Sequence, residues 1–260
     1  MRSPIIKFYE QFPGDYAALT DERNIGLQCD FLNRSLLPGI LGARVLELFA
    51  GPASHAHWLS QNHGHECWAV DTAGGMRDWA IRHGRVPAER YRLCNLPRLD
   101  ERIHENAPFD AAFALIYSLG YLDLTSVGLL LRELADCIRP KGRLLFELHD
   151  LDRVRSGFGD LAIRERRVAL ADGGTLGCVW PSGTLQWSPD DWVLEMDVEV
   201  ERRQTTEPAT TTVYTSVERI HTGSEVAALG TMLGSWTCHE VIDAAFPDSR
   251  LVVLERSAPD

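Results

Sequence analysis

Short apolar runs alternate with stretches of helical periodicity over the first 150 residues. RVLELF (44–49), bounded by Gly42 and Gly51, is apolar without alternation, the pattern of a strand buried on both faces. ASHAHWLSQN reads as the following helix, ended by Gly64, and HECWAVD (65–71) as the second strand. A helix is expected near residues 75–83, a third strand at YRLC (91–94) and a fourth at DAAFALIYS (110–118). Residues 124–138 repeat apolar positions at helical spacing until Pro140-Lys141-Gly142 stops them, and GRLLFELHD (142–150) reads as a fifth strand. Strands and helices alternating in this way predict a parallel sheet covered by helices on both faces.

The pattern changes after Asp152. VLEMDVEVE (193–201) places Leu194, Met196, Val198 and Val200 on one face and Glu195, Asp197, Glu199 and Glu201 on the other, which is a half-solvated antiparallel strand. TTTVYTSVERI and GTLGCVW look like its partners, so residues 155–220 read as an antiparallel sheet inserted after the fifth strand. Residues 224–233 return to helix, and LVVLER (251–256) supplies a last core strand. Residues 1–40 read as helical segments punctuated by PGDY and LPG.

Composition narrows the function more than the fold. The 260 residues are 45% hydrophobic and 24% charged, an ordinary globular balance. No apolar run reaches the length of a membrane span, and MRSPIIKFYEQF lacks the apolar core of a secretory signal. The formal net charge of -11 repels phosphate backbones, so no nucleic-acid partner is expected and a neutral or cationic small molecule is favoured. Cys29, Cys67, Cys94, Cys137, Cys178 and Cys238 are scattered without a CxxC pair, which suits reduced thiols in a cytoplasmic protein.

Chemistry in such a sheet gathers at the carboxyl ends of the strands. The first loop there is LELFAGPASHA, with Glu47 near the strand end and Ala50-Gly51-Pro52-Ala53 turning into the helix. Asp71 ends the second strand, where a carboxylate can accept hydrogen bonds from ribose hydroxyls. A dinucleotide fingerprint would need glycines at 49, 51 and 54, but these positions hold Phe49, Gly51 and Ser54. Pro52 removes a backbone N–H as well, so the loop suits a nucleoside ligand without a pyrophosphate.

VLELFAGPASHA resembles the first motif of the class I S-adenosylmethionine (SAM)-dependent methyltransferases, with Phe49 and Ala53 in place of two usual glycines. AVDTAGGM, FDAAFALIYSLGYL and IRPKGRLLFELHD are similar to the family's later motifs, in order, over roughly residues 40–150. The resemblance implies a Rossmann-like α/β fold with a mostly parallel seven-stranded sheet, helices on both faces and an inserted antiparallel sheet. It also implies a division into an N-terminal helical lid (1–40), a SAM-binding domain (41–152 and 221–260) and a sheet over the acceptor site (153–220). SAM is the implied cofactor, and Ala50, Gly51 and Pro52 would line its amino-acid end. Asp71 would hold the ribose, Thr72 and Met76 the adenine surroundings, and Cys94-Asn95-Leu96 the adenine edge. Leu115 and Ile116 would pass under the methionine part, with Glu47 organising the loop.

The layout is closest to amine methyltransferases that act on aminosugars, glycine and antibiotics, so a methyl group transferred to an amine nitrogen is expected. By that likeness Tyr9 and Tyr16 of the lid approach the reactive methyl. Tyr117 and His149 lie at strand ends, and His149 is a candidate base with Asp150 to orient it. Trp180, Trp187 and Trp192 either seal the inserted sheet or hold a cation or ring. That sheet forms a wall over the acceptor or a subunit contact in a homo-oligomer. His55 and His57 lie about 200° apart on a helix and do not share a metal. O-methylation, a nicotinamide-dependent oxidoreductase and a non-catalytic cofactor-binding protein are the alternative readings.

Overall fold

A computed structural model describes residues 3–21, 23–150, 165–170, 172–188, 190–204, 208–241, 245–246 and 249–258. Residues 153–164, the start of the expected insertion, lie outside the described residues. The apolar runs form β2 (Arg44–Leu48), β3 (Glu66–Asp71), β4 (Tyr91–Leu93), β5 (Phe109–Ala114) and β6 (Ile138–His149). These five are parallel; β12 (Ser249–Arg256) runs antiparallel to β6, and β11 (Trp236–Val241) antiparallel to β12. The sheet order is β11-β12-β6-β5-β2-β3-β4.

Successive strand residues point to opposite faces and both faces are covered. Leu46, Leu48, Phe146 and Val252 pack toward α7 (Leu124–Cys137) and α8 (Gly223–Met232). Val45, Phe113, Leu145 and Val253 pack toward α3 (Ile25–Leu36) and α4 (Ser54–His63) on the other side. This explains why the strands read as continuous apolar runs. The seventh strand, β11, had no such signal: WTCHEV mixes polar and apolar positions because it lies at the sheet edge.

The second sheet contains β7 (Glu165–Ala169), β8 (Thr175–Ser188), β9 (Val193–Arg203) and β10 (Thr210–Arg219), all antiparallel. Leu194, Met196, Val198 and Val200 are its buried face, as their alternation predicts. The chain's first described residues correct one expectation. Ser3–Pro4 form a two-residue strand, β1, parallel to β10, rather than helix. Helices α1 (Ile6–Gln11) and α2 (Pro13–Asp21) follow it, so the N-terminal segment is tied to the second sheet.

That segment is also latched to the main sheet layer. Helix α5 (Gly74–Arg82) begins after Ala73, whose side chain cannot cap it. Glu10 of α1 supplies the cap instead: its carboxylate accepts the N–H groups of Gly74 at 2.9 Å and Gly75 at 2.8 Å. A Cβ on Gly75 would lie 2.2 Å from the Glu10 carbonyl oxygen, so only glycine permits the approach. Glu10→Ala should destabilise the protein by about 1 kcal/mol. Gly75→Ala should do more, and both should expose residues 1–40 to limited proteolysis at denaturant levels that leave the wild type intact.

One histidine binds the layers through a neutral ring. In His65, Nδ1 accepts the Ala43 N–H at 3.2 Å while Nε2 faces the Asn33 Oδ1 at 2.9 Å, an arrangement for the neutral tautomer. Burial, then the neighbouring His63, lowers its pKa below the ordinary 6.5. The unfolded chain therefore binds a proton at higher pH than the folded one, so this stabilisation is complete above about pH 6.5 and declines as pH falls below it. Urea midpoints of the wild type should drop more between pH 7.5 and 5.5 than those of His65→Gln. An equal drop in both proteins would refute the assignment.

Candidate active site

The carboxyl ends of β2, β3, β5 and β6, the N-terminal helices and the inner face of the second sheet enclose a cavity of about 900 Å³. Its first wall is the turn after β2. Phe49, Gly51 and Ala53 adopt left-handed backbone with φ of 51°, 52° and 55°. These are the alternate positions where the resembling motif carries glycine. Phe49 and Ala53 thus hold a conformation that costs a side chain about 1–2 kcal/mol.

Two carboxylates hold this turn. Asp71 accepts the Gly51 N–H at 2.8 Å with one oxygen and the Ala73 N–H at 2.8 Å with the other. Burial raises its pKa, and these N–H groups offset that only in part. Glu47 lies behind the turn, accepting the Ala56 N–H at 2.9 Å and lying 3.4 Å from His55 Nδ1. The Tyr91 hydroxyl donates to the Gly51 carbonyl.

The cavity brings together Gly51, Asp71, Thr72 and Met76 on one side and Cys94, Asn95 and Leu96 beside them. Tyr9, Tyr16, Ile116, Tyr117 and His149 line it too. Glu47, Ala50, Pro52 and Leu115 do not; they are buried behind the wall. Strand β5 stops at Ala114, four residues before the expected end. Ile116 and Tyr117 form a left-handed turn instead, with φ of 59° and 56°. Such strain, of order 1–3 kcal/mol per residue, persists only where neighbours over-determine it. Here buried Glu147 does so, accepting the Ile116 N–H at 2.6 Å and the Ser249 hydroxyl at 2.6 Å.

His149 stacks on Tyr117, with ring centroids 4.0 Å apart and planes 12° from parallel. Its partner corrects the expectation from sequence: Nε2 lies 2.9 Å from Glu218 of β10, whereas Asp150 pairs with Arg250 at 3.2 Å. Glu218 also accepts the Ser216 hydroxyl at 2.8 Å. The Tyr121 hydroxyl lies 3.1 Å from that of Tyr9. Hydrogen bonds therefore link Ser216, Glu218 and His149, and the Tyr9–Tyr121 pair lines the same cavity. Burial pushes the Tyr16 phenol up to about 12 and the Tyr9 phenol well above its ordinary value, so both remain protonated.

Sequence reasoning missed Glu218, Tyr121, Ser216 and Arg23. One signal existed for Glu218: in VYTSVER it shares the alternating face of Tyr214 and Ser216, so it is a carboxylate on a buried face. Arg23, between α2 and α3, reaches the cavity with a buried Nε that has no hydrogen-bond partner. Trp180 lines the cavity, while Trp187 and Trp192 meet edge to face at 6.0 Å. His55 bonds Gln28 at 2.9 Å and His57 the Arg85 carbonyl at 3.2 Å, so the two rings serve separate structural contacts.

No protein-family model matches the sequence, and no curated protein does. Solved structures share its fold. DesVI of Streptomyces venezuelae is 15% identical, with a TM-score of 0.72 over 94% of this chain and 96% of its own. The sugar N-methyltransferase KedS8 from Streptoalloteichus is 17% identical, with a TM-score of 0.73 over 94% of this chain and 93% of its own. SAM-bound CalS10, an amino pentose methyltransferase from Micromonospora echinaspora, is 16% identical, with a TM-score of 0.69 over 94% of this chain and 96% of its own. The chain therefore has the Rossmann-like fold of these methyltransferases.

Proposed function

We propose that this protein is a SAM-dependent methyltransferase that transfers a methyl group to the amine nitrogen of a small molecule. The observation that carries this reading is that one cavity joins Arg23 to Asp71 and the phosphate-unfriendly turn at Gly51-Pro52. An arginine lining such a cavity suits a carboxylate on the ligand. The residues present fit SAM: Arg23 for its carboxylate, Asp71 for ribose hydroxyls, and Met76, Leu96 and Asn95 for adenine. A nicotinamide dinucleotide fits poorly, because Pro52 lacks an N–H and the turn has one glycine. In this reading residues 1–40 are the lid and the second sheet is the roof over the acceptor.

When bound, SAM supplies a methyl carbon on a sulfonium, whose sulfur keeps the bonding pair as the acceptor nitrogen takes the methyl. The protein positions that nitrogen beside the cofactor and excludes water. Glu218 favours a cationic ammonium in the cavity, and the Glu218–His149 pair can accept its proton. A carboxylate aimed at the acceptor region favours an amine over an alcohol, which arrives neutral and gains less from a negative neighbour.

Isothermal titration should give SAM binding and no measurable NADH binding, and Arg23→Met should weaken SAM by roughly 10- to 100-fold, the cost of a hydrogen bond to a charged group. An unchanged affinity in the variant, or no SAM binding at all, would defeat the proposal. With amine acceptors, Glu218→Gln and His149→Phe should lower kcat/KM by about 100-fold. An unchanged kcat/KM in both would remove the pair from proton transfer.

A further inference from the structure

We infer that the acceptor carries its amine on an apolar chain or ring, and that a polyhydroxylated or phosphate-linked amine is a poor substrate. This rests on the methyltransferase reading above and concerns the half of the cavity away from Asp71. The second sheet presents its inner face there. Leu194 and Met196 of β9 stand in register with Glu218 and Ser216 of β10, so one carboxylate and one hydroxyl face two buried apolar side chains. The acids of β9 alternate to the opposite face, so the part of the cavity wall that β9 supplies, Leu194 and Met196, is apolar.

Strand β8 extends this wall. Its pairing with β9 shifts register between Val179 and Ser182 and again before Gln186, and this irregular stretch brings Trp180, Pro181 and Leu185 to the cavity. Trp180 and Leu185 pack against Leu194 and Met196. Sugar hydroxyls laid on this surface would lose water and meet few partners. Phosphates would fare worse. Among the described residues lining the cavity, the arginines are Arg23, assigned above to the cofactor, and Arg166, which donates to the Leu19 carbonyl at 3.2 Å on the lid side. Glu218 stands where a phosphate-bearing acceptor would run along the wall. An apolar amine satisfies both features, with its cation at Glu218–His149 and its body against Trp180, Leu194 and Met196.

The test is calorimetry on the whole chain saturated with S-adenosylhomocysteine, titrated with n-butylamine, n-hexylamine, n-octylamine, 4-phenylbutylamine, glucosamine and UDP-glucosamine. Affinity should rise about fourfold per methylene along the alkyl series, the ratio expected for burying each CH₂. Both sugars should bind at least tenfold more weakly than n-octylamine. Met196→Gln, which keeps volume but adds an amide, should reduce the dependence on chain length, while Glu218→Gln should weaken every amine and leave that dependence intact. A flat alkyl series, or tighter binding of either sugar, would overturn the inference. Failure of S-adenosylhomocysteine to bind would instead strike the underlying reading, so the two failures are distinguishable.

Discussion

The Asp71 carboxylate, shared between the N–H groups of Gly51 and Ala73, is the interaction on which the cavity depends. Burial makes a free carboxylate there costly, and two directed backbone donors offset that cost. The same two bonds tie the turn after β2 to the start of α5. With the turn fixed, the Gly51 carbonyl meets the Tyr91 hydroxyl and the cavity wall is complete. One side chain thus converts the ends of two neighbouring strands into a rigid edge.

The pattern recurs across the sheet. Of the six non-glycine residues with left-handed backbone among the described residues, four lie in two loops at the cavity, Phe49 with Ala53 and Ile116 with Tyr117. Each loop has a buried carboxylate behind it, Glu47 for the first and Glu147 for the second. Both acids sit within otherwise apolar strands, where an uncompensated charge would be expensive, so they are useful only because backbone N–H groups point at them. Strain at the cavity is stored in the turns and held by acids in the layer beneath.

The second sheet gives the cavity its asymmetry. Around Leu194 and Met196 its inner face carries Ser216 and Glu218, and Glu218 reaches across to His149 at the end of β6. The N-terminal helices close the remaining side, anchored at two points, by β1 against β10 and by Glu10 on α5. The cavity therefore has one polar wall built on strand ends, one largely apolar wall, and a helical side joined to both.

Much of the fold was legible in the sequence, because burial on both faces writes itself as uninterrupted apolar runs, and burial on one face as the alternation of residues 193–201. The edge strand β11, the short β1 and the early end of β5 were not, since their boundaries depend on neighbours rather than on local pattern. At the site, the sequence could place Gly51, Asp71, Tyr117 and His149 at strand ends, which follows from chain direction alone. It could not pair His149 with Glu218, 69 residues away. Nor could it tell that Glu10 caps α5, 64 and 65 residues on, or that the Arg23 donor ends buried and unpaired. Periodicity reports which way a side chain points relative to its own element. Which charges then meet is decided by the packing of one sheet over the other, and that is a property of the tertiary structure alone.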